Sequence, residues 1–154
     1  MTKWLSEKQQ QHWRAWLTAT TLLDEQLNRE LQESHGLTGA DYEILVRLSD
    51  TPERRIRMSE LAAKTLSSRS RLTHQINRME KAGLVTREAC EDDKRGQLCV
   101  MTDLGWKTLV AAAPAHVTSV RQHFVDILTN EEFAALGRAS EKLAKHLESI
   151  SERY

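Results

Sequence analysis

Apolar side chains recur every three or four residues at both ends of this chain, and the middle breaks into shorter patterns. At the N-terminal end Trp13, Trp16/Leu17, Leu23, Leu27 and Leu31 step along one face without a proline, which predicts a long amphipathic helix over residues 6–34, ending near His35-Gly36. Thr38 with Asp41 three residues on resembles a capping box and opens a second helix through Tyr42, Leu45, Val46 and Leu48. Asp50-Thr51-Pro52 ends it, because proline disfavours helical angles in the residue before it. A short extended stretch at 56–58 leads to two brief helical patterns, 59–65 and 68–82, the second capped by Ser67 or Ser68. Gly83 closes that helix. Leu84 to Arg87 then read as a strand, Glu88 to Gly96 as a polar loop, and Gln97 to Thr102 as the returning strand. A strand, loop and strand directly after a helix-turn-helix make a wing. In the last third, Thr102 or Asp103 caps a helix through Trp106, Leu109/Val110, Ala113, Val117, Val120, Phe124 and Ile127/Leu128, bent at Pro114. Thr129 opens a final helix with Phe133, Leu136, Leu143, Leu147 and Ile150.

The length, 154 residues, suits a single domain with its own core and leaves no room for a second, catalytic one. The expected organisation is one domain over 1–154, with a winged helix-turn-helix lobe at about 36–102 and dimerisation helices at about 6–34 and 103–152. The fold class is mainly α with a small β-wing. No apolar run approaches the length of a membrane span, and MTKWLSEKQQQHW lacks the features of a secretory signal, so the expected location is cytoplasmic, with no membrane partner. The formal net charge is zero, but the charge is unevenly spread. Residues 54–95 hold 11 Lys+Arg against 6 Asp+Glu, a local excess of five positive charges balanced by acidic flanks.

That basic segment contains the candidate chemistry. On helix 68–82, Leu72, Ile76 and Met79 share one side and should face the core. The opposite side presents Ser70, Thr73, His74, Asn77, Arg78 and Lys81, with Ser68, Arg69 and Arg71 at the leading end. Hydroxyl, amide and guanidinium groups can match the donor and acceptor pattern of base edges in the major groove, while neighbouring cations neutralise phosphates. In the wing, CEDDKRGQLCVMTDLG, Gly96 eases a turn that carries Lys94 and Arg95 at its tip, where a guanidinium can enter a minor groove. Asp93 either orients Arg95 through a salt bridge or is simply loop charge.

These residues, in this order, resemble the MarR family of bacterial regulators. The resemblance covers about residues 8–150 and is strongest from Ser59 to Gly105, where SELA, SRSRLTHQINRMEKAGLVTRE and DDKRGQLCVMTDLG follow the family order. Its most specific element is Asp93-x-Arg95 followed by Val100-x-Thr102-x-x-Gly105. The resemblance implies a triangular homodimer with interlocked N- and C-terminal helices, each subunit inserting its recognition helix into the major groove and Arg95 into the minor groove. It also implies a regulator, expected to be a repressor on a palindromic operator in double-stranded DNA and modulated by a small-molecule effector. His74 stands where many relatives carry arginine, and Met101 replaces the commoner leucine.

The remaining features point to no enzyme and no cofactor. There is no HExxH, Gly-rich phosphate loop or GxSxG elbow. His116 and His123, seven apart on one helical face, have the spacing for a metal but read better as solvated or interface residues. Trp13 and Trp16 are first a core or dimer-seam feature, and second a candidate lining for an apolar ligand pocket. Cys90 and Cys99 match no zinc ribbon or redox pair. Two alternatives remain beside the DNA-binding reading: a winged-helix protein-interaction module without DNA affinity, and a thiol-based redox sensor that still binds DNA.

Overall fold

The computed structural model describes residues 1–151, so the expected end of the last dimerisation helix at 152 lies outside the described residues. Helix α1, Glu7–His35, starts at Ser6, whose hydroxyl accepts the Gln9 N–H while the Gln9 side chain returns to the Ser6 N–H. It stops at Gly36, which takes φ +65. Helix α2, Gly39–Ser49, opens on the expected box: Thr38 Oγ1 accepts the Asp41 N–H at 3.0 Å and Asp41 Oδ2 accepts the Thr38 N–H at 3.2 Å. A 3-10 turn at Pro52–Arg54 leads into strand β1, Arg55–Arg57. Helices α3, Met58–Lys64, and α4, Arg69–Lys81, follow. Strands β2, Val85–Ala89, and β3, Gln97–Met101, form the wing. The sheet is antiparallel in the order β1-β3-β2, with Cys99 opposite Ile56 on one side and Arg87 on the other.

The core lies mostly in the winged-helix lobe, with Leu31, Leu109 and Ala112 added from the flanking helices. Leu45 and Leu48 of α2, Leu61 of α3, Leu72 and Ile76 of α4, and Val85 and Cys99 of the sheet are all but inaccessible. Each such aliphatic side chain contributes about 1.5–3 kcal/mol by leaving water. The sheet joins the next helix, α5 (Asp103–His123), through a tight corner. There Thr102 Oγ1 accepts the Gly105 N–H at 3.0 Å and donates to the Gly83 carbonyl. Gly105 is required at this point because a Cβ would collide with the Leu84 carbonyl oxygen. The Val100-x-Thr102-x-x-Gly105 pattern is therefore a structural corner that fixes the wing relative to α5.

The C-terminal helices differ from the sequence expectation in one respect. The apolar pattern through Ile127/Leu128 predicts one continuous helix, yet α5 ends at His123. Phe124 leaves helical angles (φ −138, ψ −65) and its ring meets Phe133 edge-on, 5.4 Å between centroids. A 3-10 turn at Val125–Ile127 then leads to α6, Asn130–Ser149, capped by a Thr129/Glu132 box. Periodicity alone does not register this break, because aromatic packing across the corner replaces the helical contacts. Pro114 stands inside α5 and does not end it.

Helix α1 runs beside α5, held by a polar cluster in which Glu30 Oε1 accepts from Gln26 Nε2 at 2.6 Å and pairs with His123 Nε2 at 2.7 Å. The Ser119 hydroxyl first, and then these two partners, hold the Glu30 carboxyl at a pKa of about 2. Beyond this clasp the terminal helices bury little. Leu31 is the only buried residue in α1, and α6 has none, leaving Trp13, Trp16, Leu17, Phe133, Leu143, Leu147 and Ile150 exposed.

Candidate nucleic-acid interface

Helix α4 is amphipathic in the sense the sequence predicts. Ser68 caps it, its hydroxyl accepting the Arg71 N–H at 3.2 Å. Leu72, Ile76 and Met79 are buried, while Arg69, Ser70, Arg71, Thr73, His74 and Arg78 are exposed and Asn77 is half-buried. Thr73 donates its hydroxyl proton to the Arg69 carbonyl at 2.8 Å, which leaves the oxygen lone pairs and the methyl group to face a partner. The first turn of α4 has no acidic residue and carries Arg69 and Arg71 instead. Cations at the positive end of a helix dipole oppose it by a few tenths of a kcal/mol. That placement disfavours the free helix and favours a polyanionic partner.

Gln75 was not singled out by sequence reasoning. It is the one buried polar side chain among the described residues, and its Nε2 donates to Asp41 Oδ1 at 3.4 Å, tying α4 to the N-terminal turn of α2. Its place on the core side of α4, between Leu72 and Met79, was the available signal. The wing stem is tied to α4 as well, since Arg87 Nε and Nη2 both lie 2.9 Å from Glu80 Oε2.

The wing tip is shaped by its backbone. The Asp93 carbonyl accepts the Gly96 N–H at 2.9 Å and the Gly96 carbonyl accepts the Cys90 N–H at 3.0 Å. Asp93 has neither of its two expected roles. Its Oδ1 accepts the backbone N–H of Arg95 at 3.0 Å, which shapes the turn, and its Oδ2 lies 3.9 Å from Arg57 Nη1. Lys94 and Arg95 project into solvent. A groove of about 460 Å³ separates wing from recognition helix, and Arg57, Arg69, Thr73, Lys94 and Arg95 line it. A second recess, about 400 Å³, lies over the turn between α3 and α4, walled by Ser59, Ser67, Ser68, Arg69 and Arg71. Leu66 closes that turn with φ +52. Folding thus brings Arg69 and Thr73 beside Lys94 and Arg95, while Ser68 and Arg71 line the neighbouring recess and Ser70, His74, Asn77 and Arg78 lie elsewhere along the same helix. Arg57 and Ser59 join this surface without having been anticipated.

Two cavities lie elsewhere, the first with a mostly apolar wall and the second with a mixed one. One, about 460 Å³, is enclosed by Trp16, Leu23, Phe124, Ile127, Leu128 and Leu136 between α1, α5 and α6; Trp13 does not line it. The other, about 590 Å³, lies between α1, α2 and α5 and includes Asn28, Tyr42, Arg47 and His116. The His116 ring meets Tyr42 at a tilt of 45°, 4.4 Å between ring centroids; burial pushes its pKa down, and its Nδ1 has no hydrogen-bond partner. His116 and His123 therefore have separate partners, and among the described residues no group of three or more His, Cys, Asp or Glu could hold a metal. Cys90 and Cys99 are buried free thiols, and burial raises Cys99 to about 12, away from a reactive thiolate. No helix among the described residues is long and apolar enough to cross a membrane.

Comparison with known proteins agrees with this geometry. A model of the MarR family matches residues 35–96. The transcriptional regulator HosA of Escherichia coli is 32% identical over 111 residues, 72% of this chain and 80% of HosA. Among solved structures, AbsC, a MarR family transcriptional regulator from Streptomyces coelicolor, is 49% identical with a TM-score of 0.92, covering 96% of this chain and 99% of AbsC. Sco3205, a MarR family transcriptional regulator from the same organism solved in complex with DNA, is 43% identical with a TM-score of 0.93, covering 96% of this chain and 92% of Sco3205.

Proposed function

Because the chain belongs to the MarR family of transcriptional regulators, we propose that it is a homodimeric, cytoplasmic repressor of a roughly palindromic operator, modulated by a small molecule. That it is a DNA-binding transcriptional regulator and not an enzyme follows from the family itself. In the proposed mechanism each subunit lays α4 in a major groove, with Ser68, Arg69, Ser70, Arg71, Thr73, His74, Asn77 and Arg78 at the contact, while Lys94 and Arg95 reach the flanking minor groove. Residues 36–102 form the reading lobe, and 6–34 and 103–152 form the dimerisation helices.

One observation carries the reading: Arg69 and Thr73 at the leading end of the exposed face of α4 share one groove with the wing cations Lys94 and Arg95, while the other face of α4 is locked into the core. A homodimer is supported by the unpartnered apolar stripes of α1 and α6, which in a lone subunit would form an unusually large exposed patch. A twofold dimer on DNA calls for a twofold-related pair of half-sites. Modulation is supported by the two cavities, which lie between the terminal helices and beside the lobe. A ligand there would favour one half-site spacing over another if it bound the two forms unequally. Trp16 is in a position to contact such a ligand; Trp13 belongs with the dimer seam.

The test is a binding titration against an operator selected from random sequence and against single-base variants of it. His74→Ala or Asn77→Ala is expected to cost about 1–3 kcal/mol and to relax preference at symmetric positions. Arg95→Ala is expected to weaken binding in a way that depends on minor-groove width. Wild-type behaviour in all three variants would favour a protein-interaction module instead.

A further inference from the structure

We propose that Arg57, at the end of β1, is a DNA-backbone contact: its guanidinium exchanges a loose pairing with Asp93 for a phosphate of the strand that passes between recognition helix and wing. The proposal rests on the DNA-binding reading and adds a residue to it. Arg57 lies outside both the recognition helix and the wing, yet the antiparallel pairing of β1 with β3, Arg57 opposite Leu98, brings it to the floor of the groove. Its Nη1 lies 3.2 Å from where a Cβ on Gly96 would be, so the guanidinium reaches the base of the wing tip.

Charge in the groove favours an anion. Arg57, Arg69, Lys94 and Arg95 face it, and Asp93 is its one carboxylate lining residue. Asp93 is also already engaged, with one oxygen on the Arg95 N–H at 3.0 Å and the other 3.9 Å from Arg57, beyond hydrogen-bonding reach. Both side chains are about half exposed, 45% and 50%, and an exposed pair at that distance contributes little. Arg57 can therefore leave Asp93 at small cost, whereas Arg87, bound twice to Glu80 at 2.9 Å, cannot. A guanidinium suits a phosphate because it donates two parallel hydrogen bonds. Rising from the sheet instead of the helix, it faces the edge of the duplex, where phosphates are and base edges are not.

The experiment measures affinity against salt concentration for the full-length protein, on the selected operator and on a random-sequence duplex of equal length. Removing one cation from a phosphate lowers the log-log salt slope by about 0.9. Arg57→Ala is expected to lower the slope by that amount for each subunit engaged, equally on both duplexes, and Arg57→Lys to restore most of it. Asp93→Asn, which keeps an oxygen for the Arg95 N–H, is expected to tighten binding to both duplexes by removing a negative charge from the groove. If Arg57 served only to clasp the wing, Asp93→Asn would weaken binding as Arg57→Ala does, and that result would overturn the proposal. So would an unchanged slope in Arg57→Ala with an unaltered circular dichroism melt. Should Arg57→Ala fail to fold, Arg57→Gln carries the same expectations. Absence of salt-dependent binding by the wild type would instead overturn the DNA-binding reading itself.

Discussion

The winged-helix lobe and the terminal helices are built from the same kind of sequence, apolar residues three and four apart, yet they differ in how that pattern is satisfied. In α4 the stripe of Leu72, Ile76 and Met79 is at most 2% exposed, closed over by α2, α3 and the sheet. In α6 the equivalent stripe has no buried member, and Phe133, Leu143 and Leu147 are 40%, 48% and 51% exposed. The lobe satisfies its hydrophobic faces within one chain. The arms hold theirs open, and these are the faces the proposed dimer would cover. A helix stripe therefore tells where a chain needs contact without telling whether the contact comes from the same molecule.

The largest expected effect tests that contrast directly. Ile76→Ala removes a fully buried side chain and is expected to destabilise the lobe by about 2–5 kcal/mol in urea unfolding, at any protein concentration. Leu143→Ala combined with Leu147→Ala is expected to spare the lobe and shift sedimentation at micromolar concentration from dimer to monomer, each truncation removing roughly half of the ~1.5–3 kcal/mol that full burial of a leucine contributes, since both are already about half covered. A double variant that stays dimeric while the lobe itself loses stability would break the comparison.

A smaller effect is expected at the clasp between α1 and α5, which joins the N-terminal arm to the C-terminal one. The Glu30 carboxyl is held at about 2, below its usual 4.5, by hydrogen bonds from Ser119, Gln26 and His123. A depressed carboxyl contributes stability above its unfolded pKa and loses it as pH falls through the folded one. The wild type should thus lose this contribution between about pH 4.5 and pH 2. Glu30→Gln should melt lower at neutral pH and converge on the wild type in acid. Parallel melting profiles of the two proteins across that window would show that the clasp contributes nothing.

The smallest effect expected is an absence of reaction. With burial raising Cys99 to about 12 and its strand enclosed between β1 and β2, the thiol stays protonated at pH 8. Mass spectrometry after iodoacetamide treatment of the native protein should find Cys99 unmodified until denaturant is added. Rapid alkylation without denaturant would revive the redox-sensing alternative.

Much of this protein is determined by local sequence, because the relevant forces act over a few residues. Thr38 with Asp41, Ser68, and Thr102 with Gly105 mark helix starts through hydrogen bonds that span three positions. The exposed face of α4 was legible for the same reason, since helical geometry alone places Thr73, His74 and Arg78 opposite Leu72 and Ile76. What only the tertiary structure decided involves groups far apart along the chain. Phe124 leaves the helix where its ring meets Phe133, nine residues on. Gln75 is buried because Asp41, 34 residues earlier, receives its hydrogen bond. Arg57 shares a groove with Arg95 because strand pairing folds β1 onto β3, and Asp93 faces Arg57 for the same reason. Periodicity and capping encode the elements, but pairing between strands and packing between helices depend on chain closure, which no window of neighbouring residues contains.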